Sequence, residues 1–184
     1  MTPFTLHLLR HGEPEVAGRM LGRTDCGSTA AGIAACVEQV AGLEFDCVAS
    51  SDLIRARAAA EAVAPAPQVD PRWRELDFGD WDGKASSEID PTALGLFWDD
   101  PDANPPPSGE RWSSLVDRVT AAIGGLTPVP TLVVTHGGAI RAALSSLCGF
   151  DHHQIWAFDL PYAALLSLTV WPGERAAGQI IGLR

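Results

Sequence analysis

The sequence predicts an α/β protein, a three-layer α/β/α sandwich around a mostly parallel central sheet, and three observations carry that prediction. Two short apolar runs, Phe4–Arg10 and Thr131–Thr135, each stop at a His-Gly pair. Segments of helical periodicity follow the strand-like runs, so strand and helix alternate as in β-α-β units. The 184 residues are 46% apolar, enough for one domain that buries roughly 70% of its unfolded surface.

Phe4-Thr5-Leu6-His7-Leu8-Leu9-Arg10 reads as a buried strand ended by His11-Gly12, where glycine lets the backbone turn sharply. Thr29 can cap a helix over about 30–42, and 45–49 reads as the next strand. A second helix covers about 53–63 and ends ahead of Pro65 and Pro67. Trp112, Leu115, Val116, Val119 and Ile123 share one face of a further helix. Thr131–Thr135 is the strongest strand signal; it ends in His136-Gly137-Gly138 and leads to an Ala-rich helix over about 139–148. Residues 164–170 and 179–183 read as two strands at the sheet's edge, joined through Trp171-Pro172-Gly173. A turn-rich stretch at 99–109 breaks the pattern. The region of about 83–110 is read as a loop and helical insertion near the site, since neither flank has enough strands for a complete domain.

Thirteen Lys and Arg against 23 Asp and Glu give a net charge of −10, which argues against a nucleic-acid or anionic-lipid partner. No apolar stretch approaches the roughly 20 residues of a membrane span, and the start of the chain does not read as a signal peptide. The expectation is a cytoplasmic protein without nucleic-acid or membrane partners. Cys26, Cys36, Cys47 and Cys148 have no C-x-x-C spacing and are read as reduced, buried thiols rather than as a catalytic cysteine.

Ligands of open α/β sheets bind beyond the carboxyl ends of the strands, and there the chain places His11 and His136. Arg10 adds a fixed cation beside His11, and Arg55 opens a helix after the second strand, where backbone N–H groups also favour an anion. Two histidines and two arginines suit phosphate. A metal is the competing reading, but no Cys, Asp or Glu stands at ligand spacing beside either histidine and two arginines repel a cation. Neither metal nor cofactor is expected.

The chain resembles the histidine phosphatase superfamily, which includes cofactor-dependent phosphoglycerate mutases and many small phosphatases. The motifs are Leu9-Arg10-His11-Gly12-Glu13, Ser51-Asp52-Leu53-Ile54-Arg55-Ala56, Arg74-Glu75-Leu76-Asp77-Phe78-Gly79 and Thr135-His136-Gly137, in that order over nearly the whole chain. The resemblance implies a phosphoglycerate mutase-like fold in a single domain, 1–184, and hydrolysis of a small phosphate monoester through a phosphohistidine. It makes His11 the nucleophile, Glu75 the acid and then the base, and His136 a catalytic partner, with Arg10, Arg55, His136 and Gly137 holding phosphoryl oxygens alongside His11. Phe78-Gly79-Asp80-Trp81-Asp82, Pro106-Pro107-Ser108-Gly109-Glu110 and Ile155-Trp156-Ala157-Phe158 look most like α-ribazole phosphatases of cobalamin nucleotide-loop assembly. Alternatives are a broad-specificity phosphatase, a mutase, a phosphohistidine dephosphorylase acting on protein, and a phospho-ligand binding module without catalysis. The family pattern is departed from at Ala59, where Thr is usual, and near Ala17, where Asn is common.

Other readings are plainer. Residue types alone make Glu75 a surface carboxylate paired to Arg72 or Arg74, and only the resemblance makes it an acid. His7 is read as a satisfied strand histidine; His152 and His153 have no role. Asp77, Asp80 and Asp82 are read as a solvated turn. Trp81 and Trp98 are the candidates for an aromatic wall beside a flat ligand. Arg19 and Arg57 are left outside the site.

Overall fold

Strand alternation builds two apolar faces in this computed structural model, which describes residues 2–184. In β1 (Phe4–Arg10) Leu6 and Leu8 join one buried cluster and Leu9 the other. In β4 (Thr131–Thr135) Val133 faces the first cluster, and Leu132 and Val134 the second. Helices α4 (Trp112–Gly124) and α5 (Gly137–Cys148) cover the first face, through residues such as Leu115, Val119, Ile140 and Leu144. Helices α1 (Ala30–Gln39) and α2 (Ile54–Val63) cover the second, with Cys36, Ala56, Ala59 and Ala60 against the strands. The expected three layers are present.

With β2 (Cys47–Ser50), β3 (Gln68–Val69), β5 (Leu165–Trp171) and β6 (Ala177–Leu183), the sheet order is β3-β2-β4-β1-β5-β6. The first four strands are parallel; β5 runs antiparallel to β1, and β6 antiparallel to β5. The register that matters pairs Arg10 with Thr135. It brings β1 and β4 to an end level with each other, so the residues that follow them emerge side by side. Just beyond β1 the chain passes so close to α1 that a Cβ on Gly12 would overlap the Gly32 carbonyl, and only glycine fits that approach.

Several boundaries differ from the sequence reading. The strand expected at 45–49 is Cys47–Ser50, because the amides of Asp46 and Cys47 both turn to the Pro130 carbonyl. Helix α1 stops at Gln39, and the chain turns away through Gly42 at φ 78°. Helix α5 begins at Gly137, two residues before the expected start: two glycines read as a loop, yet the backbone there is already helical. Helix α3 (Pro91–Asp99), capped by the Asp90 carboxylate on the Ala93 amide at 2.9 Å, lies within the helical insertion expected at about 83–110, whereas strand β3 was not among the expected elements. All four cysteines are free, but only Cys36 is buried, and burial pushes its thiol up to about 11. No described helix is long and apolar enough to cross a membrane.

Candidate active site

Where β1 and β4 end, two imidazoles meet. The His11 and His136 ring centroids lie 5.0 Å apart, with the planes inclined by 63°. His11 is held from both sides: its main-chain amide donates to Thr135 O at 2.8 Å, and its Nδ1 lies 2.7 Å from Gly12 O. A carbonyl only accepts, so Nδ1 carries the proton and the lone pair stands on Nε2. Burial above all, and then the charge of Arg55, lower the His11 pKa from 6.5 to about 3. His136, the extended residue ahead of α5, is fully buried and neither ring nitrogen has a partner among the described residues. The same two causes, in the same order, hold its pKa well below 6.5. Both rings are therefore neutral at neutral pH.

The cations around them are left unpaired. Arg55, the second residue of α2, is inaccessible to solvent and donates to Thr24 O at 2.8 Å, Leu21 O at 2.7 Å and Gly22 O at 3.1 Å. Arg10 donates to Leu160 O, and its guanidinium lies 4.3 Å over the Tyr162 ring. Among the described residues each keeps a buried Nε without a partner, and neither forms an ion pair. Bringing a charge out of water without a counter-charge costs several kcal/mol, so the pocket is built to receive an anion.

A third arginine, missed in the sequence, shares that description. Arg141 lies one helical turn beyond Gly137, and helical side chains lean toward the N-terminus. Its guanidinium comes back so far that a Cβ on Gly137 would stand 3.2 Å from it and 3.5 Å from Arg10 Nε. It stacks 4.2 Å over the Trp156 ring and, among the described residues, keeps a buried, unpartnered Nε and forms no ion pair. The available signal was its position, four residues after Gly137 on the same helical face.

Glu75 faces this cluster from the other side. Its Oε1 accepts from the Leu76 amide at 2.8 Å and its Oε2 from the Gly138 amide at 3.0 Å, in the first turn of α5. Gly138 has no side chain, and a Cβ there would overlap the carboxylate. The plain surface pairing does not occur: Arg72 holds Asp70, and Arg74 holds Asp52.

Arg10, His11, Glu75, Phe78, Trp98 and Tyr162 line a cavity of about 330 Å³; the buried His136 packs against His11, the buried Gly137 lies beside Arg10, and Arg55 is buried as well. Of the two tryptophans expected at a wall, Trp98 on α3 lines the cavity. Trp81 does not: it is buried in the core, edge-on to Phe97 at 5.6 Å. The aspartates read as a solvated turn are also corrected. Asp82 accepts from the Gly22 amide at 2.6 Å, the Thr24 amide at 2.8 Å and the Thr24 hydroxyl at 2.6 Å, fixing the loop whose carbonyls hold Arg55. Asp77 pairs with Arg23 at 2.7 Å, and only Asp80 is exposed. His7 meets the Ser167 hydroxyl at 2.8 Å within the sheet, and His152 meets Asp99 O at 2.8 Å.

A sequence model of the histidine phosphatase superfamily (branch 1) matches residues 6–180. The chain belongs to this superfamily. A glucosyl-3-phosphoglycerate phosphatase of Mycolicibacterium vanbaalenii is 31% identical over 166 residues, 78% of this chain and 74% of that one. The adenosylcobalamin/alpha-ribazole phosphatase of Escherichia coli is 28% identical over 173 residues, 83% of each chain. The solved structure of a mycobacterial glucosyl-3-phosphoglycerate phosphatase superposes with a TM-score of 0.85 at 25% identity, covering 98% of both chains. The protein is thus a histidine-phosphatase enzyme with a phosphoglycerate mutase-like fold, acting on small phosphorylated substrates.

Proposed function

We propose that this phosphatase hydrolyses small phosphate monoesters through a phosphohistidine on His11. The carrying observation is the neutral His11 ring, its Nε2 lone pair free, set beside Arg10 and Arg55, neither of which is held in an ion pair among the described residues. Arg10, Arg55, His136 and the Gly137 amide at the start of α5 hold the phosphoryl oxygens; fixed charge and positioning dominate the catalysis of phosphoryl transfer. His11 Nε2 forms a bond to phosphorus as the ester P–O bond breaks, and Glu75, protonated at that stage, gives its proton to the departing oxygen. Glu75 then takes a proton from water as the water oxygen bonds to phosphorus and the N–P bond breaks, releasing phosphate and restoring His11. The chain acts as one domain, with Trp98 of the 83–110 region beside the leaving group.

Among leaving groups, the ribazole moiety of α-ribazole 5′-phosphate is the leading reading. The likeness to the E. coli relative supports it, as does the aromatic lining of Phe78, Trp98 and Tyr162, which suits a flat heterocycle. A phosphorylated acid, such as the substrate named for the M. vanbaalenii relative, is the second reading, favoured by the unpaired Arg141. Phosphate release is measured from both kinds of ester and an aryl phosphate, with His11→Ala as control. The proposal expects hydrolysis by wild type, acid-labile phosphate trapped on His11, and an inert variant; full activity of His11→Ala refutes it. A lead of more than about tenfold, or 1.4 kcal/mol, identifies the leaving group.

A further inference from the structure

Arg118, on α4, has an acceptor for every one of its five N–H groups. Nη1 donates to Arg72 O at 2.9 Å and Arg74 O at 2.7 Å, and Nη2 to Glu75 O at 2.8 Å. Nε and Nη2 grip the Glu110 carboxylate at 2.7 and 2.8 Å. One guanidinium thus joins the main chain of 72–75, which carries Glu75, to the loop ahead of α4.

Glu110 is itself fixed. Its Oε2 accepts from the Asp77 amide at 3.2 Å, and its own amide donates to Asp77 O at 2.9 Å. The Asp80 amide donates to Pro107 O at 2.8 Å, and Gly79, at φ 50°, passes so close to Pro107 and Gly109 that a Cβ would overlap them. Segments 77–80 and 107–110 therefore lie against each other as one braced unit on the far side of Glu75.

We infer that Arg118, braced by Glu110, is a positioning residue that sets where the Glu75 carboxylate stands; the inference rests on the reading of Glu75 as the acid. Glu75 is then fixed at both ends, its carbonyl in the Arg118 fork and its carboxylate on the Gly138 amide. Lysine, a point charge without the planar fork, cannot reproduce five such contacts. Placement matters because a displacement of about 1 Å costs on the order of 100-fold in rate.

The test exploits leaving groups. A general acid matters most for a poor leaving group, so kcat/KM, which reports the steps up to transfer onto His11, is measured for glycerol 3-phosphate and for p-nitrophenyl phosphate. Arg118→Met is expected to lower the alkyl-to-aryl ratio by about tenfold, in the direction of Glu75→Gln. An unchanged ratio in Arg118→Met, whether both rates fall together or neither falls, overturns the inference. An unchanged ratio in Glu75→Gln removes instead the reading of Glu75 as acid, which tells the two failures apart. Should Arg118→Met not fold, Glu110→Gln, which leaves the guanidinium in place, is expected to shift the ratio the same way, and no shift there overturns the inference.

Discussion

The two sides of Glu75 use the same side chain in opposite ways. On the far side Arg118 has all five N–H groups engaged and a carboxylate in its fork. On the phosphate side Arg10, Arg55 and Arg141 each keep a buried Nε without a partner and no counter-ion. The chain carries ten more acidic than basic side chains, so the lack of an ion-paired carboxylate on these arginines is not scarcity. A saturated arginine holds a geometry, whereas an unsaturated one holds a site for charge that arrives with the substrate.

Removing one cation from each side therefore separates the loss of phosphate binding from the loss of stability. Arg10→Met should lower kcat/KM by about 10²–10³-fold, the range for losing one preorganised donor, with little effect on the urea midpoint of the resting protein. Arg118→Met should cost about 1.5–3 kcal/mol of stability as hydrogen bonds to a charged group are lost, with a smaller kinetic loss of about tenfold that falls on the alkyl ester. Chemical denaturation beside steady-state kinetics checks both. Equal stability losses in the two variants would erase the distinction.

Ligand binding sharpens the same point. Inorganic phosphate at about 100 times its Kd should stabilise wild type by about 2.7 kcal/mol, seen as a rise in Tm. Arg10→Met should lose most of that rise, and Arg118→Met should keep it. A phosphate-induced shift that survives in Arg10→Met places the anion elsewhere.

The pH dependence follows from the neutral imidazoles. His11 titrates at about 3 when folded, against an ordinary 6.5. Above pH 6.5 both the folded and unfolded states carry a neutral ring, and its contribution to stability is constant. As pH falls from 6.5 toward 3 the unfolded chain binds the proton first, so stability declines across that window; His136 acts in the same direction. Urea midpoints at pH 7 and pH 5 should differ more for wild type than for His11→Asn, and equal differences count against a neutral His11.

Much of this was legible in the sequence, for physical reasons that differ by residue. His11 and His136 show themselves because each follows an apolar run and precedes glycine, and strand ends are where such a sheet binds ligands. Their meeting depends on the level ends of β1 and β4, which the parallel pairing supplies. Arg55 stood out as a cation at the start of a helix after the second strand, and Glu75 only through a family motif. The roles of Arg118 and Asp82 were invisible, because the main-chain groups they hold lie about 40–60 positions away and no local pattern encodes such contacts. Helix α3 was expected only as part of a helical insertion over about 83–110 and without bounds, because Pro91 and Gly95 dilute its periodicity, although Asp90 supplies a cap ahead of it.

Arg141 is where the contrast has its smallest and most informative consequence. Its unpartnered Nε and stacked position on Trp156 leave it beside Arg10 at Gly137 but farther along α5, on the side from which Trp98 contacts Trp156 at 4.9 Å. If it meets a second anion on the leaving group, wild type should favour 3-phosphoglycerate over glycerol 3-phosphate, two esters that differ by a carboxylate in place of an alcohol. Arg141→Met keeps an apolar stem on Trp156 and removes the charge, and should lower that preference by about tenfold, or 1.4 kcal/mol. Arg141→Lys should retain part of it, since a point charge still attracts a carboxylate without matching its two oxygens. Wild type without any preference would make Arg141 a third arginine on the phosphoryl group, and the aromatic lining would then decide in favour of the heterocyclic ester.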